Sequence, residues 1–328
     1  MNKITDIYYA ICEDLGRPIR LQRLIDENPN MRVQLTEPKL VVDAHKVVQW
    51  QDWGGQPTDH WPRRKRGTIL GWRHSAGSYG SFEMHRPEFE SFGQCEVSDH
   101  WRCDIQDVTG LSSSKSNLES FTSLDSLVGK NSRELIDETT EESLQKNLAH
   151  GGIRILHQES TSDHFARYRW DGRTLLMNSD GSHHFAAARY IASRINRRVP
   201  LGGRLCTYSI NPLALDTLLR DFDMYAISDD AAISNEFHEA MRMFSATYLW
   251  QHLPRPYGHA RAILLPKNER RSMRVSHELR VAGMFDIGEH LLALTERQTR
   301  HYPNIGGWEE SLAENEDTSD ATSDVPSA

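Results

Sequence analysis

Five consecutive residues, Asp180, Gly181, Ser182, His183 and His184, bring together a carboxylate, a glycine, a hydroxyl and two imidazoles. They follow the apolar run Leu175–Met177 and lead into a pattern with Phe185, Ala188, Ile191, Ala192 and Ile195 on one helical face. A strand that turns at a glycine into a helix is a common way to build an anion site. The first helical N–H groups have no internal partner, and the helix dipole leaves partial positive charge there. Gly181 permits positive φ and a close approach of ligand to backbone. Ser182 can cap the helix or contact a ligand, and each histidine can donate to a phosphate oxygen. On this reading Gly181, Ser182, His184 and Arg189 hold a phosphate. Asp180, Ser182, His183 and His184 are then the candidate catalytic groups, with Asp180 as a metal or base carboxylate. The plainer reading is a Ser-capped helix carrying two surface or half-buried histidines.

Other constellations are weaker. His85, Cys95, His100 and Cys103 could supply a zinc ion, but their spacing is not that of a standard finger or ribbon, and free thiols with packing histidines are the alternative. A Ser–His–acid triad cannot form from neighbours in sequence, because side chains one apart diverge on a helix. A distant histidine (His157, His164, His238 or His259) would have to serve, and no Gly-x-Ser-x-Gly elbow is present. The FHEAM run around His238 lacks the His-Glu-x-x-His zinc pattern. Neither a phosphate-loop signature nor a dinucleotide glycine fingerprint occurs.

The elements that must position the turn are legible in part. Phe121–Gly129 reads as a short strand and turn, and Arg133–His150 as a helix stopped by Gly151 and Gly152. Ile153–Gln158 reads as a strand. His164–Trp170 and Arg173–Asn178 read as strands joined by a hairpin at Asp171-Gly172. Beyond the helix at about His184–Asn196, strands and helices continue to mix. Gly203–Ile210, Met224–Ser228 and Ala260–Pro266 read as strands. Pro212–Asp221, Ser234–Leu253 (with Ser234 or Asn235 as cap), Ser276–Phe285 and Ile287–Gln298 read as helices. The expected class is α/β or α+β, a mixed sheet with helices. Three regions are expected: a Trp/Gly-rich part over 1–110, an α/β module over 111–305 and a disordered acidic tail over 306–328. The serine-heavy stretch from Thr109 to Leu127 reads as a linker or exposed loop between the first two. Trp50, Trp53, Trp61, Trp72 and Trp101 predict an irregular, aromatic-pinned N-terminal region, as core filler or as the wall of a ligand pocket.

The order of motifs over Phe121–Asn196 resembles the ParB/sulfiredoxin-like superfamily, the ParB N-terminal nucleotide-binding fold. The segments FTSLDSLVG, EESLQKNLAHGGIRIL, RYRWDGRTLLMNSDG and SHHFAAARYIA follow one another as in that group. The resemblance implies a turn that binds nucleotide phosphates, with CTP or ATP and magnesium as the cofactors to test. Gly181 matches the motif glycine. Ser182 stands where sulfiredoxins carry a catalytic cysteine and ParB proteins a glutamate, and His184 stands at the phosphate-gripping arginine. Without the cysteine, sulfinic-acid reduction is not supported. With histidine for arginine, phosphate binding becomes pH-dependent unless Arg173, Arg189 or Arg194 supplies charge.

Bulk properties narrow the partners. The chain has 328 residues, 38% of them hydrophobic and 26% charged, with a mean hydropathy of −0.62. No apolar run reaches the ~18 residues that span a bilayer, and the first residues do not read as a secretory signal. Four cysteines without framework spacing suit a reducing cytosol. A net charge of −8 disfavours non-specific nucleic-acid binding, although Trp61–Gly67 is a local basic cluster. The expectation is a cytoplasmic bacterial protein that binds a nucleotide or other phosphate. The alternative is a non-catalytic regulatory or partner-binding protein that keeps the fold as a scaffold.

Overall fold

A computed structural model of the protein describes residues 3–37, 39–55, 65–158 and 160–301. The acidic tail and most of the basic Trp61–Gly67 run, including Trp61, lie outside the described residues. The described chain is a mixed α/β protein with two sheets. Its strands are β1 (Thr68–Ser75), β2 (Ser78–His85), β3 (Gly93–Asp104), β4 (Val108–Leu111), β5 (His164–Tyr168), β6 (Thr174–Met177), β7 (Pro200–Ile210), β8 (Phe222–Ser228), β9 (Tyr248–His252), β10 (Ala260–Pro266) and β11 (Phe285–Asp286). Its helices are α1 (Lys3–Asp14), α2 (Ile19–Glu27), α3 (Pro87–Glu90), α4 (Leu124–Asn131), α5 (Glu141–Leu148), α6 (Arg154–His157), α7 (Ser182–Arg194), α8 (Pro212–Asp221), α9 (Ala231–Met243), α10 (Arg270–Val281) and α11 (Ile287–His301).

One sheet has the order β11-β8-β10-β9-β1-β2 and is antiparallel throughout. The other has the order β3-β7-β5-β6-β4 and is mixed, with β5 parallel to β7 and β4 parallel to β6. Both sheets cross the division expected at about residue 110, because β1 pairs with β9 and β3 with β7. The tryptophans explain how the early chain is held. Trp50 and Trp53 are fully buried and meet edge to face at 5.6 Å, and Trp53 packs on Phe89 and Phe92 at 4.9 Å each. That cluster is continuous with Tyr168 and Leu175 of one sheet and Met224 and Leu249 of the other. A second core lies beneath α7, where Phe121, Leu127, Leu144 and Phe165 meet Phe185 and Ile191.

Local chemistry accounts for most element boundaries. The Asn211 side chain accepts from the N–H groups of Leu213 and Ala214, and Pro212 opens α8 without costing a bond. Asp230 caps α9, four or five residues before the Ser234 or Asn235 expected. That helix ends at Met243, Ser245 two residues on takes a φ of +52°, and the aromatic-rich run Tyr248–His252 that follows pairs as β9. Leu124–Gly129, expected within a short strand and turn, forms helix, because Ser123 and Ser126 make a reciprocal capping box at the start of α4. Ile153–Gln158 is likewise a helical turn. Its apolar run is too short for periodicity to separate strand from buried helix. The hairpin at Asp171-Gly172 forms as expected, with Gly172 at φ +84° joining antiparallel β5 and β6.

Candidate functional site: a serine–histidine cluster at the start of α7

β6 leaves its sheet at Met177, and the next residue fixes the turn. Asn178 is buried, and its Oδ1 accepts from the N–H groups of Ser112 (3.1 Å) and Ser113 (3.2 Å). Its Nδ2 donates to the carbonyls of Ser113 (2.9 Å) and Asp180 (3.0 Å). The turn is thereby tied to the serine loop that follows β4. Ser179 donates through N–H (3.0 Å) and hydroxyl (2.6 Å) to the buried carboxylate of Asp163. Gly181 has a φ of +73°, and a Cβ there would stand 2.5 Å from the carbonyl carbon and oxygen of Gly152. Glycine is therefore required by the packing of the turn against residues 152–153, whatever a ligand would ask of it. The exposed Asp180 accepts the Gly181 N–H at 2.7 Å through Oδ1.

Ser182 is the first helical residue and not the cap; that position belongs to Gly181. The Ser182 hydroxyl is buried and donates to Ser114 Oγ at 3.0 Å. His183 lies among hydroxyls from two loops. Its Nδ1 is hydrogen-bonded to Ser132, and its Nε2 lies 3.3 Å from Ser114 Oγ and 3.1 Å from Ser116 Oγ. The network assigns the protons. Ser114 Oγ already accepts from the Ser116 N–H (3.1 Å) and from Ser182, so its own proton points at the ring. His183 Nε2 is then an acceptor, and Nδ1–H donates to Ser132. Ser116 Oγ accepts from Asn131 Nδ2 at 2.6 Å. Its proton competes with that of Ser114 for one imidazole lone pair.

His184 stacks on His150, with ring centroids 3.8 Å apart and planes 12° from parallel. Its Nδ1 is 2.9 Å from Asn147 Oδ1. Asn147 Nδ2 donates to the carbonyls of Leu135 and Ser143, so the amide oxygen accepts and His184 Nδ1 carries the proton. His184 Nε2 has no hydrogen-bond partner among the described residues. Burial holds both rings below the usual histidine pKa. For His183, Lys115 acts in the same direction and Glu134 opposes. For His184, the neighbouring His150 and His183 add to the lowering, while Asp180 and Glu134 oppose it. Burial thus favours the neutral form of both imidazoles.

The arginines expected to help do not face this turn. Arg189 donates to the Val108 carbonyl (3.0 Å) and to Asp125 (2.8 Å), about 10 Å further along the helix. Arg173 forks onto Asp171 and donates to the Val41 carbonyl, and Arg194 lies over the Tyr190 ring. The structure thus brings Asp180, Gly181, Ser182, His183 and His184 to one end of α7 and leaves Arg189 apart. Ser114, Ser116, Ser132, Asn147 and His150 were not expected there. Serines 114 and 116 come from the stretch read as a linker. No carboxylate bonds to His183 among the described residues, so a Ser–His–acid relay is not formed.

Elsewhere, His157 and His164 bond to nearby carbonyls, and His238 bonds to the Tyr248 hydroxyl against Trp72. For the zinc candidates, His85 faces Glu90 at 3.4 Å, and Cys95, His100 and Cys103 are spread along β3. Burial pushes the Cys103 thiol up to about 12. Among the described residues, no three His, Cys, Asp or Glu side chains are grouped to hold a metal. A cavity of about 60 Å³ lies away from α7, with Trp50, Trp170, Tyr257 and His290 among its walls. No described helix is long and apolar enough to cross a membrane.

Neither a curated protein nor a solved structure matches the chain. Residues 98–304, from within β3 to just beyond α11, match the family of unknown function DUF6685. That span takes in the whole α7 cluster and well over half of the 328 residues, and the protein belongs to this family.

Proposed function

We propose that the first turn of α7 is a binding site for a phosphate group, free or carried by a nucleotide, and that its affinity is set by histidine protonation. The observation that carries the reading is the surplus donor in the cluster. Ser114 and Ser116 offer two hydroxyl protons to the single lone pair of His183 Nε2. An anion oxygen would accept the second. The cluster stands at the start of a thirteen-residue helix, whose first N–H groups are unpaired within the helix, and His184 Nε2 is a second ring nitrogen of that turn without a partner among the described residues. The nucleotide is proposed from the motif order of Phe121–Asn196, which resembles ParB/sulfiredoxin-like proteins except that α4 and α6 are helices where that order has strands. Because burial favours the neutral rings when the site is empty, an anion gains most where it can draw a proton onto His183 or His184. Binding is therefore stronger at pH 6 than at pH 8. For phosphoryl transfer or nucleotide hydrolysis, Asp180 Oδ2 is the carboxylate oxygen of the turn left to meet magnesium. A thermal-shift series with CTP, ATP and magnesium tests the binding claim. A saturable shift, lost in Ser116→Ala and His184→Ala, is expected. No shift into the millimolar range, or full binding by His184→Ala, contradicts it.

A second reading, in which the cluster only braces a regulatory or partner-binding scaffold, is favoured by one observation. Both nitrogens of His183 already have partners within the protein, and Arg189 is spent on Asp125. On that reading His183→Ala lowers stability and changes no ligand response.

A further inference from the structure

α1 is built inside out. Thr5, Asp6, Tyr9, Cys12 and Glu13 turn toward the protein, where Glu13 is ion-paired with Arg20 and Asp6 lies 3.7 Å from the same guanidinium. Arg20 also covers the Tyr9 ring at 5.4 Å. The outer face carries Ile4, Ile7, Tyr8 and Ile11, exposed by 74%, 61%, 57% and 54%, and is continued by Leu15, 77% exposed, whose N–H bonds the Ile11 carbonyl just past the helix. Residues at these spacings fall within about 100° of the helix circumference, an unbroken apolar stripe. A helix on a monomer's surface normally does the reverse, burying its apolar face and presenting charge to water.

We infer that this stripe is the contact between two copies of the chain, joined by antiparallel packing of α1 on α1. Self-pairing fits the pattern: about a two-fold axis near Tyr9, Ile7 meets the partner's Ile11 and Ile4 meets the partner's Leu15. Asp14, exposed beside the stripe, falls at the positive N-terminal end of the partner helix, which is favourable. The five side chains expose roughly 600 Å² per copy, so pairing can remove at most about 1,200 Å² from water, which reaches the lower end of specific interfaces. A membrane surface is the poorer match, because surface-lying helices are rich in Lys and Arg, whereas the charged side chain exposed beside this stripe is that of Asp14.

Sedimentation equilibrium of the full chain over about 1–200 µM tests this. Wild type is expected to be a dimer. Ile7→Glu and Ile11→Glu, each of which would bury an unpaired carboxylate, are expected to weaken association about 100-fold or more while the circular dichroism spectrum is unchanged. Leu213→Glu, on an exposed position of α8, should dimerise as wild type does. A monomer across the whole series overturns the inference. So does a dimer that survives both substitutions, or a chain that is monomeric alone and sediments with anionic phospholipid vesicles.

Discussion

At Gly181 two demands coincide. The residue sits in the left-handed region, and a side chain there would collide with the Gly152 carbonyl. Gly181→Ala is expected to cost about 2–4 kcal/mol in chemical denaturation, more than the strain of a positive φ alone. Asn147 gives the complementary case. It forces the proton of His184 onto Nδ1 by donating its own amide hydrogens elsewhere. Asn147→Asp places a carboxylate on that N–H, and the His184 pKa should rise by ~1 unit or more in an NMR titration. An unchanged pKa would mean that Asn147 does not hold the ring. The residues of this turn were legible in the sequence as a group, because a carboxylate, a glycine and two histidines adjoin. Their partners were not. Ser114 and Ser116 lie almost 70 residues before His183, and a hydroxyl bonded to an imidazole has the same composition as one bonded to water.

The helix α7 has an apolar face in sequence, yet it is buried over a wider arc than that face. Ala186, Ala187 and Ala188 are all buried, and together they let neighbouring helices approach closely. Its other anchor is Arg189, which ties it to β4 and α4. Arg189→Met should lower stability by roughly 1–3 kcal/mol, through the unmade bonds to Val108 and Asp125, and leave phosphate affinity unchanged. A lost phosphate response in that variant would return Arg189 to the site. Ser123→Ala removes one half of the α4 capping box and should cost about 1 kcal/mol. Strands and helices were legible where alternation or a long apolar face was clear, as in β5, β6, β10 and α8. They were misread where a cap decided the outcome, as at Ser123, or where helix and strand abut without a glycine, as between α9 and β9.

The whole molecule is held by cores that ignore the division at about residue 110. Trp50 and Trp53 sit between strands that lie far apart in the chain, and no local pattern announces such pairings. Its stability should also respond to pH. Burial lowers the pKa of His183, His184, His238 and His290. A cationic group whose folded pKa is depressed binds fewer protons folded than unfolded. Its contribution is complete above the unfolded value of about 6.5 and is lost as pH falls below it. The melting temperature should therefore decline from pH 7 to pH 5. A flat or rising profile over that window would contradict the burial of these rings.

The central claim, that an anion binds at the first turn of α7, is tested most directly by following the ring resonances of His183 and His184 during titration with CTP and with sulfate. Sulfate keeps a constant charge between pH 6 and pH 8, so any pH effect belongs to the protein. Saturable shifts of both rings, tighter at pH 6 and accompanied by a raised histidine pKa, are the predicted result. Ring resonances unmoved by millimolar amounts of either anion at both pH values would contradict it.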